Sequence, residues 1–169
     1  MKLSIEDYKI SSNLDQTKKS YIYGEVYCDD IFKILKNYNL EYKNFLDIGS
    51  GNGKLLHYLS QNTELNIDGV EIDNQRYQKS VLLNSNNLKI EIFNESFEKL
   101  YFGNYDIIYC CNTVFDDDDN NILFSKILKE FSGLLLLFNY NHKLMHHLKY
   151  TNLIKTSWSN EVPIYIFDI

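Results

Sequence analysis

Alanine is missing altogether from the 169 residues, and arginine and proline occur once each, as Arg76 and Pro163. A chain this rich in Asn, Lys, Ile and Tyr suggests an AT-rich genome, so its asparagines carry little weight as a sign of low-complexity sequence. Cysteine is scarce too. Three residues, two of them adjacent as Cys110 and Cys111, give neither a disulfide framework nor the ligand spacing of a zinc site. No stretch approaches the roughly 18 apolar residues that span a bilayer, and the opening MKLSIEDYKI has no apolar signal core. A soluble, intracellular protein without a membrane partner is therefore expected, with nothing to distinguish cytoplasm from nucleus. Excess positive charge is also lacking: a formal charge of −6 and a pI near 5.2 exclude a chain-wide field that would collect nucleic acid.

What is present is one domain's worth of chain in which short β-rich runs alternate with helix-length stretches. Strands are expected at residues 45–48, 67–70, 89–93, 105–110, 134–138, 153–158 and 164–168. Apolar spacings of three and four predict helices at 54–60, 74–84, 120–131 and 142–150, and another at 31–40 ahead of the sheet. The last two strands are joined by Ser159-Asn160-Glu161-Val162-Pro163, too short for a crossover helix, so they should pair antiparallel. Residues 1–20 are polar and read as a loosely ordered N-terminal segment, leaving 21–169 as the folded domain.

The segment Asp47-Ile48-Gly49-Ser50-Gly51-Asn52-Gly53-Lys54 sets three alternating glycines where a strand turns into a helix. The glycines remove side chains where a ligand must approach the backbone. A dinucleotide fingerprint would read G-x-G-x-x-G and aim a helix N-terminus at a pyrophosphate. Here the pattern is D-x-G-x-G-x-G, and Asp47 would repel a pyrophosphate while suiting a cationic ligand. Glu71, at the end of the next strand, can accept hydrogen bonds from both hydroxyls of a ribose.

A mostly parallel seven-stranded sheet with an antiparallel last strand, helices on both faces and this loop resembles the Rossmann-like class I methyltransferases. The resemblance implies S-adenosylmethionine as cofactor, whose ammonium and sulfonium match Asp47. Four ordered motifs narrow it. Tyr23-Gly24-Glu25 with Asp29, the glycine loop with Gly69-Val70-Glu71, Cys111-Asn112-Thr113-Val114-Phe115 after an apolar run, and Ser157-Trp158 with Tyr165 are similar to the disruptor-of-telomeric-silencing (DOT-type) lysine methyltransferases.

That resemblance implies transfer of a methyl group to a lysine amine of a protein. It puts Tyr23 and Glu25 against the methionyl end of the cofactor, with Glu25 and Asp29 on one helical face. The loop residues Asp47, Gly49, Ser50, Gly51 and Gly53 bind the cofactor with Glu71, Ser96 and Phe97. Asn112 would orient the nucleophile, and Phe115 and Tyr165 would wall a lysine channel. Two positions depart from the family: Cys111 replaces the first of its paired asparagines, and Ser96 stands where an aspartate meets the adenine. The basic extension with which such enzymes hold nucleosomal DNA is not expected after Asp168-Ile169, so no strong intrinsic nucleic-acid binding is implied. Two other readings stay open: a methyltransferase for RNA or a small molecule, since this fold takes many acceptors, and a non-catalytic cofactor-binding subunit of a larger assembly.

No metal is expected. His142 and His146, four apart on the expected helix, lack an H-E-x-x-H frame or a third ligand, and the run Asp116-Asp117-Asp118-Asp119 reads as a solvated, helix-capping loop.

Overall fold

The computed structural model describes residues 24–169. The expectation for residues 1–20 and the assignment of Tyr23 lie outside the described residues. The strands are β1 (Asn44–Ile48), β2 (Asn66–Val70), β3 (Ile90–Phe93), β4 (Ile107–Cys110), β5 (Leu134–Leu137), β6 (Leu148–Ile154) and β7 (Val162–Asp168). The helices are α1 (Cys28–Leu35), α2 (Lys54–Asn62), α3 (Asn74–Asn84) and α4 (Asp117–Glu130).

All seven strands form one sheet in the order β3-β2-β1-β4-β5-β7-β6. The first five run parallel, β7 is antiparallel to β5, and β6 is antiparallel to β7, so β7 alone is reversed. Every residue of β4 and β5 is buried, as expected of central strands covered on both faces. Alternate residues feed two cores. Phe45, Ile67, Ile107 and Leu136 pack with Ile31, Leu35, Leu56 and Leu59 of α1 and α2, whereas Leu46, Ile108 and Leu135 pack with Leu123, Phe124 and Ile127 of α4.

Local chemistry sets the helix limits. Asp73 caps α3 by accepting from Arg76 N–H at 2.9 Å, and Asp116 caps α4 by accepting from Asp119 N–H at 2.9 Å. Helix α1 begins earlier than expected and ends at Leu35, because the Asn37 side-chain amide donates to the carbonyls of Lys33 and Ile34 at 3.0 and 3.2 Å.

Three expectations are corrected. Residues 142–150 do not form a helix: a 3-10 turn at Met145–His147 leads straight into β6, so His142 and His146 share no helical face. Pairing with β7 outweighs the local helical spacing there. The expected strand at 153–158 keeps only Leu153 and Ile154, β6 having moved toward the N-terminus. Glu25 precedes α1 and does not share a helical face with Asp29; Val26 instead makes an antiparallel bridge with Thr156.

Candidate functional site

The chain builds outward from β1 toward β2 and β3 on one side and toward β4 on the other. In an open α/β sheet such a switch point leaves a crevice beyond the carboxyl ends of the strands, the usual place for a ligand. Here a cleft opens at that position, lined among others by Glu25, Asp47, Gly49, Gly51, Lys54 and Tyr109.

The loop after β1 is shaped by its glycines. Gly49, Gly51 and Gly53 have φ of 77°, 57° and 75°, the left-handed region that side chains disfavour. The space beyond Gly49 is open, whereas a Cβ on Gly53 would run into Ser80 of α3. The amides of Gly49 and Ser50 donate to the Val70 carbonyl at 2.8 and 3.1 Å. Glu71 completes the loop, with Oε2 accepting from Gly51 N–H and Oε1 from Asp73 N–H, both at 2.8 Å. Burial raises the Glu71 carboxyl, opposed by the Asp73 amide, the Arg76 charge and the Gly51 amide. Each oxygen retains lone-pair capacity, so a ribose hydroxyl could still be met.

Asp47 sits between Gly69 of β2 and Tyr109 of β4, its register partners. It is 4% exposed, and among the described residues no hydrogen bond reaches its carboxylate. Burial, and then the nearby Glu71 charge, push its carboxyl from 3.8 up to about 8. A buried carboxyl without a partner, beside a cleft, is suited to a cationic group.

The N-terminal and C-terminal motifs meet over this cleft. Ser157 N–H donates to the Glu25 carbonyl at 2.7 Å, and the Ser157 hydroxyl accepts from Glu25 N–H at 3.0 Å. Gly24 lies under the Trp158 ring, so close that a Cβ there would stand 2.5 Å from Cζ3. From this junction two acids reach α2: Glu25 pairs with Lys54 at 2.7 Å, and Asp29 accepts from the hydroxyl of Tyr58, one turn further along. Glu25 and Asp29 of the motif thus make a two-point clasp on the helix that follows the glycine loop.

The remaining residues lie across the rim. Ser96 caps the 3-10 turn Phe97–Lys99, accepting from Glu98 N–H, and Phe97 stacks on Phe115 with centroids 5.7 Å apart and planes at 13°. Asn112 is fully buried and its amide is engaged on every side. It donates to Asn120 Oδ1 and the Asn139 carbonyl at 2.7 and 2.9 Å, and accepts from Phe138 and Asn139 N–H at 3.1 and 2.9 Å. It ties the ends of β4 and β5 to α4. Tyr165 pairs with Leu137 in the row that continues through Cys110 to Ile48, the last row before the rim, and its ring packs edge-on against Tyr140 at 4.7 Å. Both Phe115 and Tyr165 join the apolar cluster on the α4 face, while the cleft opens on the α1 and α2 face.

Six cleft residues are not singled out by sequence as ligand contacts: Val26, Cys28, Lys54, Leu55, Tyr109 and Cys111. The apolar alternation of β4 hides Tyr109, and nothing local places Cys28 beside Asp47. Burial pushes the thiols of Cys28 and Cys111 to about 11, with Asp47 and Glu25 adding to the Cys28 shift, so neither is ionised at neutral pH. Among the described residues no group of three or more metal-ligating side chains occurs, and no helix is long and apolar enough to cross a membrane.

Comparisons with known proteins agree with this architecture. No curated protein sequence matches the chain. Among solved structures, an RNA methyltransferase from Salinibacter ruber, in complex with S-adenosylhomocysteine, superposes with a TM-score of 0.66 at 12% identity, over 83% of this chain and 90% of that one. Magnesium protoporphyrin IX methyltransferase from Synechocystis, with S-adenosylmethionine bound, superposes with a TM-score of 0.68 at 15% identity, over 98% of this chain and 95% of the other. These likenesses establish the fold. The family described as methyltransferase domain matches residues 45–132, from β1 and the glycine loop through α4. With more than half of its length matched, and with the sheet order and reversed β7 of the class I S-adenosylmethionine-dependent methyltransferase fold, the chain belongs to the methyltransferase domain family.

Proposed function

We propose that this protein binds S-adenosylmethionine in the cleft beside the glycine loop and transfers its methyl group to the side-chain amine of a protein lysine. The observation that carries the cofactor reading is Asp47, a buried carboxylate without a hydrogen-bonding partner among the described residues, beside three glycines in the left-handed region. The cofactor supplies an electrophilic methyl on sulfur. The chain's own residues would bind and orient it: Gly49, Ser50, Gly51 and Gly53 through the loop backbone, Glu71 toward the ribose, Ser96 and Phe97 toward the adenine, and Tyr23 and Glu25 toward the methionyl end. Residues 21–169 form the methyltransferase domain in this reading.

The lysine reading is supported by the contact of the Ser157-Trp158 segment with Gly24 and Glu25 at the cleft, which joins two of the motifs that carry the DOT-type resemblance. It is also supported by Tyr165 standing at the rim on the α4 side. An acceptor amine arriving from that side, between Tyr165 and Phe115, would face the cofactor from opposite the cleft; such positioning and water exclusion supply most of what methyl transfer needs. One observation favours the rival acceptors, RNA or a small molecule: the Asn112 amide is already committed to four hydrogen bonds, so it positions the rim and has none to spare for a lysine. The two neighbours named above act on RNA and on a porphyrin, which keeps both classes in view.

The test is direct. Pure protein is incubated with methyl-labelled cofactor and a cell lysate, and the product is divided between protease and nuclease. Label released by protease alone supports the lysine reading; label released by nuclease, or left in the small-molecule fraction, replaces it. Failure of the protein to bind S-adenosylmethionine or S-adenosylhomocysteine at millimolar concentration would end the cofactor reading.

A further inference from the structure

Strand β4 carries a polar group with no task in the scaffold. Tyr109 is 3% exposed, and its hydroxyl has no hydrogen-bond partner among the described residues. Buried hydroxyls ordinarily find one, and an orphan needs a reason. The ring is fixed from one side by Phe138, edge-on at 6.2 Å, and the residue lines the cleft. Its register partner on β1 is Asp47, so the two side chains stand next to each other on one face of the sheet, a strand spacing apart. Burial, with Cys111, Asp47, Cys110 and Cys28 nearby, holds the phenol well above its ordinary value, so it remains a neutral hydroxyl that can both donate and accept.

The other charged groups at the cleft, Glu25 and Lys54, are paired with each other at 2.7 Å. What Asp47 and Tyr109 together present is one carboxylate and one hydroxyl oxygen, both buried. A ligand carboxylate there would be repelled by Asp47. A primary ammonium, with three N–H donors, satisfies both oxygens at once.

We propose that Tyr109 is a ligand-binding residue whose hydroxyl, with the Asp47 carboxylate, receives the α-ammonium of the cofactor's amino-acid end. The assignment rests on the cofactor reading given above. It makes the floor of the cleft, supplied by β4, a selectivity element for the amino-acid end as distinct from the nucleoside, which the glycine loop and Glu71 serve.

Calorimetry on wild type and Tyr109→Phe, with S-adenosylhomocysteine and with 5′-methylthioadenosine, tests it. Methylthioadenosine keeps the nucleoside and the sulfur but lacks the amino-acid end. Phenylalanine keeps the ring against Phe138 and removes only the hydroxyl. The expected result is about a tenfold loss of S-adenosylhomocysteine affinity, the size of one hydrogen bond to a charged group, with methylthioadenosine affinity unchanged. The ligand-free variant should melt at the same temperature as wild type or a few degrees higher, because an unpaired buried hydroxyl has been removed. Unchanged S-adenosylhomocysteine affinity, or equal loss for both ligands, overturns the assignment and leaves the cofactor reading standing. A lower melting temperature would show that the hydroxyl has a protein partner, and would overturn it as well. If wild type binds neither ligand, the cofactor reading falls and this assignment with it.

Discussion

Asp47 and Glu71 show how two neighbouring strand ends, of β1 and β2, can hold two acids to different tasks. Glu71 is spent partly on the protein, accepting from Gly51 and Asp73, while Asp47 is left for something else. Glu71→Ala should therefore do two things: weaken S-adenosylhomocysteine binding by roughly tenfold or more, since charge-assisted hydrogen bonds of about 1.5–3 kcal/mol are lost, and lower the melting temperature because two backbone amides lose their acceptor. Calorimetry and thermal melts read the two separately.

Asp47 gives a pH dependence of definite sign. Its folded carboxyl titrates near 8 against an ordinary 3.8, so across that interval the folded chain holds a proton that the unfolded chain has released. Stability of the ligand-free protein should then fall as pH rises from about 4 to about 8 and level off above that. The raised carboxyls of Asp68 and Glu71 act in the same sense, and the lowered ones of Asp30, Asp106 and Glu130 act only at more acid pH, below about 5. Asp47→Asn should flatten the slope and raise the melting temperature at pH 8 while abolishing tight ligand binding. A pH slope unaltered by Asp47→Asn would mean that Asp47 is ionised in the folded chain.

At the scale of elements, the clasp and the hairpin decide which parts of the chain share a site. Glu25 and Asp29 both land on α2, at Lys54 and Tyr58, and this holds the start of the described chain against the helix that leaves the glycine loop. A surface ion pair such as Glu25–Lys54 contributes little to stability, about 0–1 kcal/mol, so the clasp is better understood as a positioning device than as a brace. The β6–β7 hairpin brings Tyr165 to the rim and Trp158 onto Gly24. If β7 supplies a wall for the acceptor, Tyr165→Ala should lower kcat/KM for the acceptor while leaving cofactor affinity within about threefold, since a contact made to one substrate alone changes that substrate's kinetics. Loss of cofactor affinity and melting temperature together would identify Tyr165 as support for Tyr140 and Phe167.

For the molecule as a whole, the described contacts of the site run from Gly24 and Glu25 to Ser157 and Tyr165, and residues 1–20 read from sequence as a polar segment apart from the folded domain. A chain beginning at Tyr21 should accordingly fold and bind S-adenosylhomocysteine with affinity within about threefold of the full chain, a difference below 1 kcal/mol. A large loss would place part of the site in residues 1–20. Most of the fold is legible in the sequence, because buried strands and amphipathic helices leave periodic apolar patterns and the glycine loop has a spacing of its own. Helix α3 has the expected limits, and β1, β2, β4 and β5 lie within two residues of theirs. The hairpin limits over 142–158 are not legible in sequence because an exposed edge strand buries too little to leave a pattern: six of the seven residues of β6 are at least partly exposed. Helix spacing won by default in sequence and lost to backbone pairing in the structure. At the site, sequence determined the ligand's charge preference, through Asp47 and the glycines, since those depend on residue type at a strand end. Only the tertiary structure decided that Asn112 is consumed by the scaffold, that Gly24 is a glycine because Trp158 covers it, and that Tyr109 faces Asp47. Each of these rests on contacts between residues 26 or more positions apart in the chain, joined at Asn112 by the bond to Asn120 eight positions on, and hydrogen-bond saturation, close approach and cross-strand register exist only once the chain has folded.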